Sequence, residues 1–186
     1  MSSAISGERR ALVAHPAQPA APAVRTLTVA INRPSAELLT LDYRLEADLQ
    51  ELRIPDVREP VRADGLWRHT CFEAFIGQTE APGYWEFNFS PSRAWAAYHF
   101  TAYREGMAPL MKGAPPVIST REHPDLLELS VAVDLSWLSR TTISPTVLGV
   151  SAVIEDRARA MSYWALRHPA EKPDFHHAEG FVVPLD

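Results

Sequence analysis

The sequence is short of cysteine, of positive charge and of long apolar runs, and each shortage removes a class of protein. One cysteine, Cys71, excludes an intrachain disulfide framework and a thiolate-rich zinc site. Eighteen basic residues stand against 23 acidic ones, a formal net charge of −5. That balance lacks the basic footprint of non-specific nucleic-acid binding, so no nucleic-acid partner is expected. The longest stretches free of formal charge, Ala11–Val24 and Thr141–Ile154, are 14 residues each. A membrane-spanning helix needs about 18 or more apolar residues, and Pro16, Pro19 and Pro22 interrupt the first stretch. Missing too are common catalytic signatures: a Gly-x-Ser-x-Gly elbow, a phosphate-binding loop, a dinucleotide fingerprint and a His-Glu-x-x-His pair. What is present is ordinary for one globular domain: 186 residues, 46% apolar and 22% charged.

Residues 1–24 carry Ala, Pro and Ser without apolar periodicity, which predicts a disordered leader ahead of a domain over residues 25–186. Glu8-Arg9-Arg10-Ala11-Leu12-Val13 has the look of a twin-arginine export signal. Such a signal needs an apolar core of about 7–15 residues, and His15-Pro16 ends this one early. The expected location is therefore the cytoplasm.

Beyond the leader a period of two dominates. Leu39, Leu41, Tyr43 and Leu45 alternate with Thr40, Asp42, Arg44 and Glu46, the pattern of a strand with one wet face. Arg25–Ile31 has the same rhythm. Phe72, Ala74 and Ile76 share one face of Thr70–Ile76, opposite Cys71, Glu73 and Phe75. Trp85, Phe87 and Phe89 form a core face, which puts Glu86, Asn88 and Ser90 on the other side. Ala94–Thr101 follows across Ser90-Pro91-Ser92-Arg93, so these two strands are expected to form a hairpin. Pro116–Arg121 and Leu126–Val133 flank a second turn, and Asp134 is placed to cap a short turn over Leu135–Leu138. Val147–Ile154, Met161–Leu166 and Phe181–Leu185 complete about ten strands. No clean 3.6-residue period is present, and 16 prolines disfavour long helices. The fold class predicted is all-β, an antiparallel sandwich of jelly-roll type with few or no helices.

Three segments concentrate chemistry: Trp67–Phe75, Tyr84–Tyr98, and Ser162–Pro169 with Lys172–His177. Their order is a loop tryptophan, a strand with Phe72-Glu73-Ala74-Phe75, an aromatic hairpin, Leu127–Leu138, a Gly-containing strand with an acidic turn at Gly149–Asp156, and Ser162-Tyr163-Trp164. From about residue 26 to residue 185 this resembles the DOMON-like group of ligand-binding β-sandwiches, and within it the carbohydrate-binding modules of family nine. His69 and Thr70 stand where those modules usually place acidic residues, so their calcium sites are not carried over.

A saccharide site needs aromatic planes for the C–H faces of the sugar and fixed polar groups for its hydroxyls. Trp67, after the Ala63-Asp64-Gly65 turn, is expected to be one platform, with packing over the end of the sandwich as the alternative. Trp164 would be the second wall, with core packing as the alternative. Arg68, His69, Glu73, Asn88, His168 and His176 would supply hydrogen bonds, and Tyr98, Tyr103 and Arg104 would extend the slot. A buried Glu73 would need a partner such as Arg68, Arg93 or Arg104. The face carrying Glu86, Asn88 and Ser90 binds ligand if it is concave and is merely solvated if convex. Glu73 and Glu86 are also the types of a glycosidase pair. Cys71, inside a strand, reads as an inert thiol. The expected function is non-catalytic binding of a saccharide or related polar small molecule, with no cofactor. The alternatives are a haem- or metal-binding sandwich using the His168–His177 loop, and an enzyme without a recognised motif.

Overall fold

The computed structural model describes residues 8–18, 20–79, 81–138 and 146–185. In chain order its strands are β1 (Arg9–Ala11), β2 (Val13–Ala14), β3 (Val24–Ser35), β4 (Leu38–Ala47), β5 (Cys71–Gln78), β6 (Ala81–Phe89), β7 (Trp95–Phe100), β8 (Ala108–Pro109), β9 (Val117–His123), β10 (Leu126–Asp134), β11 (Val147–Glu155), β12 (Met161–Ala165) and β13 (Val183–Pro184). The described helical segments are three-residue 3-10 turns at Leu49–Glu51, Leu66–Arg68 and Ala178–Gly180.

The strands form two antiparallel sheets. The smaller runs β1-β3-β4-β10-β9, and the larger runs β2-β12-β11-β5-β6-β7-β8 with β13 added on β11. This is the all-β sandwich that the period of two predicts. The expected hairpins are present: β6 pairs β7 from Tyr84↔Phe100 to Phe89↔Trp95, and β9 pairs β10 across Pro124-Asp125. Asp134 caps the following turn through its Oδ1, which accepts from Ser136 N–H at 2.8 Å.

Alternation sets the main core. Leu39, Leu41, Tyr43 and Leu45 of β4 and Leu127, Leu129, Val131 and Val133 of β10 face Phe72, Ala74 and Ile76 of β5, Phe87 and Phe89 of β6, and Leu148, Val150, Ala152 and Ile154 of β11. Full burial of such side chains stabilises by about 1.5–3 kcal/mol each before entropy is counted. The Tyr43 hydroxyl crosses between the layers and donates to the Glu73 carbonyl at 3.0 Å, which satisfies a polar group that burial would otherwise penalise.

Two features depart from the sequence reading. The stretch expected to be a disordered leader is sheet from residue 9: β1 pairs β3 and β2 pairs β12. Leu12, between them, is only 3% exposed, so one apolar side chain and two short ladders outweigh the unfavourable composition. The larger sheet is also buried on both faces over part of its area. Seven successive positions of β5, Cys71 to Gly77, are inaccessible. Its outer face carries a second apolar cluster of Phe75, Tyr84, Ala96, Tyr98, Phe100 and Phe181, with Leu66, Trp67, Val147 and Phe175 packed against it. The covering chain comes from the Leu66–Arg68 turn and from residues 173–181.

The C-terminal cover depends on a flat patch of sheet. A Cβ on Gly149 would come within 2.6 Å of the Phe181 ring, and one on Gly77 within 3.1 Å. These two glycines let Phe181 lie on the sheet, where it stacks on Phe75 at 5.8 Å. That seat explains why Phe181, expected to begin a strand, instead closes a 3-10 turn before β13.

Candidate functional site

A pocket of about 340 Å³ opens on the outer face of the larger sheet. Ligand pockets typically run from about 300 to 1,000 Å³, so its size suits a small molecule. Trp67, Phe100, Tyr163 and Phe175 supply aromatic lining, while Glu73, Glu86, Arg104 and His176 supply the polar groups.

The pleat brings the carboxylates together. Glu73 of β5 stands opposite Asn88 of β6 and Ser151 of β11. Glu86 is two residues before Asn88 and therefore on the same face. Glu86 Oε1 accepts from Asn88 Nδ2 at 2.6 Å. Glu73 Oε2 accepts a long bond from Ser151 Oγ at 3.5 Å, and Glu73 Oε1 is buried without a hydrogen-bond partner. Burial, with the neighbouring charge of Glu86 second, pushes the Glu73 carboxyl well above the ordinary range. Burial also raises Glu86, against the opposing bond from Asn88. Burial and then the Glu73 charge hold the Cys71 thiol in its protonated form.

The far wall is a hydrogen-bonded chain. Arg104 N–H donates to the Tyr84 hydroxyl at 3.1 Å, and that hydroxyl lies 2.8 Å from His176 Nδ1. The assignment that uses every group has Tyr84 O–H donating to Nδ1, which leaves the imidazole proton on Nε2. Nε2 then points toward Glu86 Oε2 at 3.9 Å. Burial, helped by Arg104, lowers the His176 pKa to about 4, so the ring is neutral near pH 7. Arg104 has a left-handed backbone, φ 56°, which costs a non-glycine residue about 1–2 kcal/mol. Its guanidinium is held by Asp174 Oδ1 at 2.8 Å, and Tyr103 O–H donates to the other oxygen of that carboxylate. Burial alone would raise Asp174, but the bonds from Tyr103 and Arg104 outweigh it and hold the carboxyl below its usual range.

The near wall is Trp67. Gly65 takes φ 75° to start its 3-10 turn, a conformation that glycine adopts without strain. Trp67 then meets Tyr98 edge to face at 5.9 Å, and Tyr98 O–H donates to Asp64 Oδ1 at 2.6 Å. Both contacts fasten the Trp67 turn to Tyr98 of β7.

Of the residues singled out in the sequence, Trp67, Glu73 and His176 line the pocket and Asn88 orients Glu86 from beneath. The other four lie elsewhere. Trp164 is 6% exposed within the core between the sheets, its Nε1 donating to Ser162 Oγ at 3.0 Å. Tyr163, one place earlier and so on the opposite face, takes the wall position. Arg68 is exposed on the Trp67 turn and does not line the pocket. His69 Nδ1 meets Glu155 Oε2 at 2.8 Å in a cluster with Arg53, at the C-terminal end of β11. His168 Nε2–H donates to the Val13 carbonyl at 2.8 Å, which ties the C-terminal segment to β2. The histidines expected to act as one loop are therefore split. Among the described residues, no three His, Cys, Asp or Glu side chains are grouped as a metal ion would require.

Alternation reads Glu86 onto the face opposite Trp85 and Phe87, and Tyr98, Tyr103 and Arg104 are the residues expected to extend the slot; of these four, Glu86 and Arg104 line it. Tyr84, Phe100, Tyr163 and Phe175 carried no signal apart from their aromatic type.

No protein-family model matches this chain, and no curated protein matches it either. A solved structure shares its fold. The structure described as "a putative carbohydrate-binding protein" from Bacteroides uniformis superposes with a TM-score of 0.66 at 15% identity, covering 94% of this chain and 84% of the other. A carbohydrate-binding module of family nine from Caldicellulosiruptor kristjanssonii, in complex with glucose, gives a TM-score of 0.43 at 12% identity, over 83% and 73% of the two chains. The sandwich is thus one that a protein described as carbohydrate-binding also adopts.

Proposed function

We propose that the chain is a non-catalytic binding module for a saccharide or a closely related polar small molecule, of DOMON-like type and related to the family-nine carbohydrate-binding modules. One observation carries the reading. The pocket sets Trp67, Phe100, Tyr163 and Phe175 around Glu73 and Glu86, aromatic planes beside fixed polar groups. A sugar ring presents both surfaces that such a site needs: C–H faces for the planes and hydroxyls for the carboxyls. The description of the Bacteroides uniformis neighbour supports the same class of ligand.

The test is calorimetric titration with neutral and amino monosaccharides, run on the wild type and on the Trp67→Ala/Tyr163→Ala double variant. At least one sugar is expected to bind, and the variant should lose affinity at least tenfold while still unfolding cooperatively. Unchanged affinity in the folded variant, or no sugar bound by the wild type, would overturn the reading.

A further inference from the structure

We propose that the saccharide taken by this pocket carries a free, protonated amine, so that the site recognises an amino sugar in preference to a neutral one. The inference rests on the saccharide reading above and adds the charge of the ligand.

The argument is one of charge balance. Glu73 and Glu86 line one small pocket from adjacent strands, at diagonal positions where Cα atoms are about 7–8 Å apart. Both are nearly inaccessible, Glu73 3% and Glu86 4% exposed. Among the described residues neither has a Lys or Arg within ion-pair distance. The one nearby cation, Arg104, is already bonded to Asp174 at 2.8 Å. His176 Nε2 approaches Glu86 at 3.9 Å, but burial of the ring and then the Arg104 charge keep the imidazole neutral. The pair is therefore short of one positive charge, and Glu73 Oε1 is short of a donor.

A buried carboxylate left in that condition must either keep a proton or find a counter-ion. A primary ammonium supplies the charge and three N–H donors at once. The aromatic faces of Trp67, Phe100, Tyr163 and Phe175 favour the same partner, because a ring presents its negative quadrupole to a cation. A hydroxyl at the same position supplies one donor and no charge. An acetamide fills the space but is neutral.

Three matched ligands separate these cases: glucosamine, glucose and N-acetylglucosamine, together with the galactose series, titrated calorimetrically at pH 6.5. A free amino sugar is expected to bind at least tenfold more tightly than its hydroxyl and N-acetyl counterparts. Glu73→Gln and Glu86→Gln, checked for cooperative unfolding, should each cut that preference to about threefold or less. A neutral or N-acetylated sugar that binds as tightly as the amine overturns this inference and leaves the saccharide reading intact. A preference that survives in both folded glutamine variants also overturns it. Binding of none of the six sugars overturns both.

Discussion

At the scale of the residue, Glu73 and His176 respond to pH in opposite senses. The folded protein holds the Glu73 proton to a higher pH than the unfolded chain, whose ordinary value is near 4.5. Its contribution to stability is complete below that value and is lost as the pH rises through the folded-state pKa. Glu73→Gln imposes the neutral form at every pH. It should therefore stabilise by about 1–2 kcal/mol at pH 8, or roughly 2–8 °C in Tm, with the gain shrinking toward zero at pH 4. Thermal melts of both proteins across that range check this, and a gain independent of pH would contradict it. His176 is the reverse case. Its folded pKa is lowered to about 4 from an ordinary 6.5, so its contribution is present above 6.5 and lost as the pH falls through about 4. In an NMR titration of the imidazole signals, the His176 ring should stay neutral through pH 6. A midpoint near 6.5 would mean that Tyr84 and the cover over the pocket do not shield it.

The element that decides the site is the segment over residues 173–181, seated by Phe181 on Gly77 and Gly149. Gly149→Ala places a methyl where the Phe181 ring lies and should cost about 1–3 kcal/mol by overpacking. Since Phe175 and His176 ride on the same segment, the variant should also weaken the proposed sugar binding; unaltered binding with lowered Tm would uncouple the seat from the pocket. This element marks where the sequence ceased to be readable. Alternation located β5 and β6, set Glu73 opposite Phe72 and Ala74 in its own strand, and put Glu86 and Asn88 on one face of theirs, because the pleat is a local property. It could not show that this face is covered, since Tyr84 meets His176 across 92 positions and no local pattern encodes that distance. The same gap explains Trp164. A large aromatic in a two-sided strand fits either face, and only the register Ala152↔Trp164 and Val153↔Tyr163 decides which of the two neighbours faces the pocket. His69 and His168 failed for a related reason: their partners, Glu155 and the Val13 carbonyl, are tertiary.

At the scale of the whole molecule, the N-terminal segment places one short strand in each layer. β1 lies in the smaller sheet and β2 in the larger, so the chain crosses between them at Leu12. Just beyond, His15 is 1% exposed, packs edge-on against His168 at 4.7 Å and donates from Nε2 to the Ala170 carbonyl at 3.1 Å. Deleting residues 1–15 should therefore lower Tm by several degrees and weaken the proposed sugar binding through residues 166–176, both measurable on the purified variant. A truncated protein with unchanged melting would mean that the crossing is incidental.

These same strands bear on how the protein behaves in a crowded solution. β3 and β12 would each end a sheet with a row of unpaired backbone groups, the template on which another chain can grow. β1 and β2, three and two residues long, cover part of those rows at Thr28–Ala30 and Trp164–Ala165, and Arg9 and Arg10 present charge at the new margin. Loss of the chain up to Ala14 would thus uncover two adhesive borders at once, and self-association would follow from a trimming that leaves most of the hydrophobic core in place.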